Sequence, residues 1–549
     1  MSEAEAPHSA AKARACPNWG ALTLTRVLEK WADSRPDTVF LHAAGRPAMT
    51  FAEVNAEVIR LAAVLREQGL GPGDGLLLRA GRRPEGLVML LAAIHVGLQV
   101  CLAPEGMSAR QVTEGAVSYA PKIAVDAGTL PKNKPESLRI LEMAANLFTI
   151  RLVCCFGDAP DGLLDLAAVE PHTVDDTEVP PVDPTHDAFL HILRHGADGK
   201  LQRLSRSQSQ LLTQALACAM LSDLTPSSVV GTAYDPIGAH GLLTAALPAL
   251  LVGCRLQLFD AVDPSLDARL QLWQEESDRH HLVLPAAFAQ SLGLNNSGHT
   301  SRRVWVTSGP AQQGLTKGGH LLVDCDGTAL LPAQIDDAGQ TIIRPGAITI
   351  SAKNSGPMAF GTLRLEGGPQ ENSTAGSLMS GEICLDSPLA AARNGKTHDL
   401  QPTGQMARLA EDKERRPTYV LTDKDAMAVQ VGAHRVMLPA VNRALGLTGR
   451  WQDAAVFSVP DRMLHNRIEV AVEPRVGDDD AQKLPTLAMV RNLLSESGIG
   501  DAGLPVKMHL VTHIPRLGRG VVDIEALADH AWEAPDVSGD DAAGFEAVA

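Results

Sequence analysis

The sequence predicts an α/β protein built on a largely parallel sheet, and three observations carry that expectation. Helix-period segments alternate with short apolar runs along residues 22–125, the rhythm of strand–helix–strand units. Two longer apolar stretches, 86–104 and 241–259, read as buried helix-then-strand units, because each holds polar residues and glycine breaks that rule out a spanning helix. At 549 residues the chain exceeds the ~250–300 residues at which single cores stop growing, so two or three packed units are expected.

The elements follow in order. Thr50 caps a helix with Glu53 three residues on, a capping box, and Val54, Val58, Leu61, Ala62 and Leu65 then recur at spacings of three and four. The run Gly69-Leu70-Gly71-Pro72-Gly73-Asp74 ends that helix and turns into an apolar strand, Gly75 to Leu78. A second helix over Leu87 to Val96 stops at Gly97, and Gln99 to Ala103 is extended. Residues 352–380 lack periodicity and are rich in Gly, Ser and Pro, which predicts a loop. Residues 1–17 read as a disordered leader, and the acidic, glycine-dotted stretch after Ala534 as a disordered tail.

Composition narrows the function. The 48 basic and 64 acidic side chains leave a formal charge of −16, whose field repels phosphate backbones and disfavours nucleic-acid binding. No signal peptide or membrane span is expected. The eight cysteines show no C-x-x-C pair and no zinc spacing, as expected for reduced, buried thiols of a cytoplasmic protein. His280-His281 lacks a partner at metal spacing and reads as part of a strand.

Several strings then agree with one family in order and spacing. Thr50-Phe51-Ala52-Glu53-Val54, Gly69-Leu70-Gly71-Pro72-Gly73-Asp74 and Ala92-Ala93-Ile94-His95-Val96-Gly97 open the series. It continues with the helix and strand of 242–259, His281-Leu282-Val283-Leu284-Pro285, Gly381-Glu382-Ile383-Cys384-Leu385 and Val429 to Val436. Together they resemble the adenylate-forming, AMP-binding superfamily that includes acyl-CoA synthetases, over roughly residues 20–530. The resemblance implies a large N-terminal domain of several subdomains with mixed and parallel sheets flanked by helices, plus a small α+β C-terminal lid. The expected limits are a leader 1–20, the large domain 21–422, the lid 423–533 and a tail 534–549. The charged run Thr422-Asp423-Lys424-Asp425 is the hinge candidate.

The same resemblance locates four stations around a nucleotide, and each is altered. The hydroxyl-rich phosphate loop is replaced by Ile192-Leu193-Arg194-His195-Gly196-Ala197-Asp198-Gly199-Lys200, in which Lys200 takes the loop lysine; an ordinary surface turn and a remodelled anion site are both open readings. The Y-G-x-T-E segment that helps hold Mg²⁺ becomes Cys325-Asp326-Gly327-Thr328-Ala329, whose alanine offers a hard cation no oxygen. Asp324 or Asp326 would have to compensate, and a strand-end turn is the plainer reading. Upstream, Ser308-Gly309-Pro310 resembles the loop that contacts adenine.

The ribose-binding T-G-D triplet reads Thr403-Gly404-Gln405. Glutamine loses the charge, and a charge-assisted hydrogen bond is worth ~1.5–3 kcal/mol against ~1 for a neutral one. Lys424 replaces a ribose-contacting arginine and lacks its planar fork. In the closing stretch from Ile514-Pro515-Arg516, the catalytic lysine slot holds Val521, with Arg519 the possible substitute or simply a solvent-facing cation. The resemblance sets His240 near the acyl pocket.

Joint loss of Lys, Glu, Asp and the hydroxylated loop predicts a retained fold with lost or severely impaired adenylation, acting by binding an acyl or other carboxylate ligand or a protein partner. The alternative is an active ligase with remodelled nucleotide contacts, joining a carboxylic acid to CoA or a carrier protein. ATP, AMP and Mg²⁺ are expected only if adenylation survives, and no other metal is expected.

Overall fold

The computed structural model describes residues 14–531 apart from 16, 80, 82, 104–106, 127–134, 158, 175, 179–187, 196–200, 261–262, 264, 287, 289–302, 308–318, 326, 337, 353–355, 367–379, 394–399, 423–427, 433, 448–449, 462–463, 475–484 and 518–521. The expected tail, the hinge at 423–425 and residues 1–13 and 16 of the expected leader lie outside the described residues, while Arg14–Ala15 pairs with Met358 and Ala359 as a short strand. Two compact units emerge. One reaches to Val436 and takes in Pro460–Asn466 and Gly500–Ala502; the other comprises Met437–Val459, Arg467–Ile499 and the chain from Gly503.

In the first unit the helix Phe51–Glu67 starts at the expected capping box, with Thr50 and Glu53 satisfying each other's backbone N–H, an arrangement worth ~1 kcal/mol. Val54, Val58, Leu61, Ala62 and Leu65 form its buried stripe. Each larger member contributes up to ~1.5–3 kcal/mol through burial. The helix Pro84–Val96 is buried on almost every side, which is why it reads as a continuous apolar run rather than an amphipathic one. It ends at Gly97, whose φ of 80° lies in the left-handed region that glycine enters at little cost. Among the described residues no helix is long and apolar enough to cross a membrane.

Two sheets organise this unit. One has eight described strands, in which Gly75–Arg79, Gln99–Ala103, Ile123–Asp126 and Leu152–Cys155 run parallel and Ala188–His195 pairs with Leu201–Ser207 as an antiparallel hairpin. The other begins as a parallel block, ordered Val39–Ala43, Arg255–Leu258, Val229–Thr232, His280–Pro285, Arg303–Thr307 and His320–Cys325. At Cys325 the chain doubles back into Ala329–Ile335, and the sheet continues antiparallel through Thr341–Ile343, Pro417–Leu421, Gln401–Glu411, Ser380–Asp386 and Gly356–Glu366. His280 and His281 lie in a strand, as expected, with the His280 ring stacked on Trp273 at 4.0 Å.

The loop expected over 352–380 is corrected for 356–366, while 353–355 and 367–379 lie outside the described residues. Gly356–Glu366 is an eleven-residue strand paired with Gly346–Ala352. Its alternation is broken at Gly361, φ 106°, so the buried Phe360 and Leu363 stand three apart rather than two. A period-2 reading fails across such a bulge.

The second unit is smaller. It carries most of the three-stranded sheet Trp451–Asp461, His465–Pro474 and Lys507–Leu510, whose residues 460–461 and 465–466 count with the first unit, together with the helices Leu438–Leu447 and Leu487–Glu496. Among the described residues seven cysteines are buried, and burial pushes the thiols of Cys101, Cys154, Cys218 and Cys254 up to about 12.

Candidate functional site

Ligand crevices in α/β sheets open at the carboxyl ends of the parallel strands, and in the first unit that end of His320–Cys325 carries a group of buried polar residues. Asp324 is the penultimate residue of the strand and is buried. Thr328 N–H donates to the Cys325 carbonyl at 3.0 Å, closing a tight turn. Gly327 adopts φ 68° there, and a Cβ on it would fall 2.4 Å from an Arg194 guanidinium nitrogen. The left-handed backbone favours glycine there, and a larger residue would also have to displace the Arg194 tip.

His240 meets this turn from another element. It sits in the helical turn Ala239–Gly241, which continues into Leu242–Ala246 and Leu247–Val252. A Cβ at Gly241 would overlap the Asp235 carbonyl oxygen, so the chain packs backbone on backbone and turns His240 inward. His240 Nε2 lies 2.9 Å from Asp324 Oδ2, with both residues buried. Burial alone would raise the Asp324 carboxyl. The hydrogen bond and charge of His240, the nearby Arg194 and the donated Gly327 amide overcome it and hold Asp324 at about 2. An ionised carboxylate only accepts, so His240 Nε2 carries the proton.

Three further groups stand around this pair. The Tyr234 ring stands edge-on to His240 at 5.3 Å, and its buried hydroxyl has no hydrogen-bond partner. Burial, reinforced by the charge of Asp324, raises that phenol well above its ordinary range, so it is a neutral donor. Arg206, fully buried on the Leu201–Ser207 strand, donates to the carbonyls of Gly327, Thr328 and Leu389 at 2.8, 2.9 and 3.0 Å and thereby ties the eight-stranded sheet to the turn. His465, from the Pro460–Asn466 segment of the same unit, is held down to about 4, chiefly by burial and then by His240.

The sequence-predicted residues distribute unevenly. His240, Gly327 and Thr328 come together. Gly404 and Gln405 lie on Gln401–Glu411, which touches His320–Cys325, in a stretch where the pairing register with Ser380–Asp386 shifts. Gly404, φ 73°, donates its N–H to the Glu382 carboxylate, and Thr403 Oγ1 donates to the Ile383 carbonyl at 2.7 Å. Gln405 is buried and gives its amide hydrogens to the carbonyls of Met406 at 2.9 Å and Thr422 at 3.2 Å. Lys200, Ser308, Gly309, Pro310, Asp326, Lys424, Arg519 and Val521 lie outside the described residues.

A magnesium ion finds little to hold it among the described residues. Ala329 is fully buried in the core. Both Asp324 oxygens already accept hydrogen bonds. No group of three or more described His, Cys, Asp or Glu residues could hold a metal ion. Sequence reasoning missed the His240–Asp324 pair, Tyr234 and Arg206. The available signal was the polar residue inside an otherwise apolar strand, Leu321-Leu322-Val323-Asp324-Cys325, since a buried carboxylate demands a partner.

Comparison with known proteins bears on this arrangement. The family described as AMP-binding enzyme matches residues 28–329, over half of the chain. Triostin synthetase I of Streptomyces triostinicus is 24% identical over 516 residues, 87% of this chain and 89% of its own length. The salicyl-AMP ligase / salicyl-S-ArCP synthetase of Mycobacterium tuberculosis (strain ATCC 25618 / H37Rv) is 29% identical over 270 residues, 47% of this chain and 46% of its own. The fold also matches the amide bond synthetase McbA from Marinactinospora thermotolerans, with a TM-score of 0.62 at 17% identity, over 91% of this chain and 98% of that one.

Proposed function

Because this chain belongs to the AMP-binding enzyme family, we propose that it keeps the family's fold with lost or severely impaired ATP-dependent adenylation, and that it works by binding a small carboxylate-bearing ligand or a protein partner. The observation that carries this reading is Gln405. At the triplet where the family's resemblance expects a ribose-binding carboxylate, a neutral amide stands buried with its hydrogens committed to two backbone carbonyls. Ala329 supports the same conclusion, because a methyl group in a sealed core provides no oxygen to a cation.

The crevice retains the means to recognise a ligand. Tyr234 offers a buried hydroxyl without a partner beside the His240–Asp324 pair, and a buried donor left unmet favours a ligand that supplies an acceptor. His240 is oriented by Asp324, so its ring presents a fixed edge instead of sampling rotamers.

A second reading is favoured by the relatives, which are named as a synthetase and an AMP ligase. Under it the chain joins a carboxylic acid to CoA or a carrier protein through an acyl-adenylate, with nucleotide contacts supplied by other residues. Hydroxamate trapping and pyrophosphate exchange across a panel of aryl and alkyl carboxylates, with nucleotide calorimetry in Mg²⁺, separate the two. Impaired adenylation predicts no saturable ATP heat and no hydroxamate, together with a carboxylate-induced thermal shift that Tyr234→Phe weakens. Robust turnover would overturn the first reading in favour of the second.

A further inference from the structure

The crevice does not account for a second cavity in the first unit, of about 660 Å³. This one opens at the other end of the same strands. Its wall includes Gly319, His320 and Leu321, where the strand His320–Cys325 begins, whereas Asp324 sits four residues on, ~13 Å away at ~3.3 Å per residue. The volume falls in the ~300–1,000 Å³ range of small-molecule pockets.

Two buried polar atoms on this wall have no partner. Trp305 is 1% exposed, and its indole nitrogen makes no hydrogen bond. An indole N–H can only donate, so the group it lacks is an acceptor. Gly319 packs directly against the indole, since a Cβ there would come 2.7 Å from Trp305 Nε1. His320 Nε2 is also buried without a partner, and burial lowers the pKa of its ring. The rest of the lining is mostly apolar, with Ile343 and Ile350 among it, and the rim cation Arg344 is paired with Asp412 at 3.1 Å.

We propose that this cavity binds an uncharged, largely apolar small molecule bearing a carbonyl group, whose oxygen accepts the Trp305 indole N–H. Among the described lining residues the arginine, Arg344, is already paired, which argues against a carboxylate, and the unmet donor argues against a pure hydrocarbon. The site is distinct from the His240–Asp324 crevice and does not depend on whether adenylation survives.

Nile red, a flat uncharged ketone-type dye, tests this on the full chain by fluorescence titration, with 2-acetylnaphthalene and 2-ethylnaphthalene as competitors. The expected result is one saturable site from which the ketone displaces the dye ~10-fold more effectively than the hydrocarbon, the ratio that one net hydrogen bond supplies. Trp305→Phe is expected to erase that ratio, and Ala333→Phe, which adds bulk at a half-buried wall position, to remove the saturable site while circular dichroism stays native. Absence of saturable binding to the unmodified protein, dye binding undiminished in folded Ala333→Phe, or a ketone preference that persists in folded Trp305→Phe would each overturn the proposal.

Discussion

Replacing Asp324 with Asn keeps the side chain's shape and removes the charge that His240 and Arg194 face. The carboxyl is drawn from 3.8 to about 2 in the folded protein, which is on the order of 2–3 kcal/mol in favour of the ionised form. Removing one partner of a buried pair costs ~3–5 kcal/mol, so a loss of ~2–4 kcal/mol at pH 7 is expected. The folded value lies below the unfolded one, and the contribution is therefore complete well above pH 3.8 and disappears as pH falls toward about 2. Between pH 7 and pH 3 the gap between wild type and Asp324→Asn should narrow by ~1 kcal/mol. Urea unfolding at both pH values, following the transition of the larger unit, measures it, and a double-mutant cycle with His240→Ala should return a coupling above ~0.5 kcal/mol. The reasoning fails if the variant stays within ~0.5 kcal/mol of wild type at pH 7, or if the gap is the same at pH 3.

Other substitutions probe the surroundings. His191 donates or accepts at Nδ1 with Ser205 at 2.9 Å, and burial takes its ring down to about 3. Its neutral form is the folded one, so stability is full above pH 6.5 and drains as pH falls toward 3. That amounts to ~2 kcal/mol lost by pH 5, a loss that His191→Gln should abolish in pH-dependent urea titrations. Gly327→Ala should destabilise by ~1–3 kcal/mol, from left-handed strain and the clash with Arg194, read as a lowered melting temperature. Ala329→Glu should unfold the larger unit rather than restore a cation site, because the side chain enters a sealed core; Mg²⁺-dependent stabilisation of a folded variant would contradict this. The described thiols should react with Ellman's reagent only on denaturation, given burial and pKa values raised to about 12 for four of them.

Local chemistry made part of this protein legible from its residues alone. The capping box at Thr50, the stripe from Val54 to Leu65, the stop at Gly97 and the alternation that implies a parallel sheet depend on neighbours within a few positions, and such short-range preferences survive without knowledge of the fold. Where a bulge intervenes, as at Gly361, even a strand was hidden, because one left-handed glycine resets the period on which the reading rests.

Only the tertiary structure joined His240 to Asp324 across 84 positions of sequence, brought Arg206 of one sheet onto the turn of the other, and left the Tyr234 hydroxyl and Trp305 indole without partners. The reason is physical. A side chain's type states which hydrogen bonds it can make, whereas whether they are made, with whom, and how far a charge is held from water depend on which distant elements are packed against it.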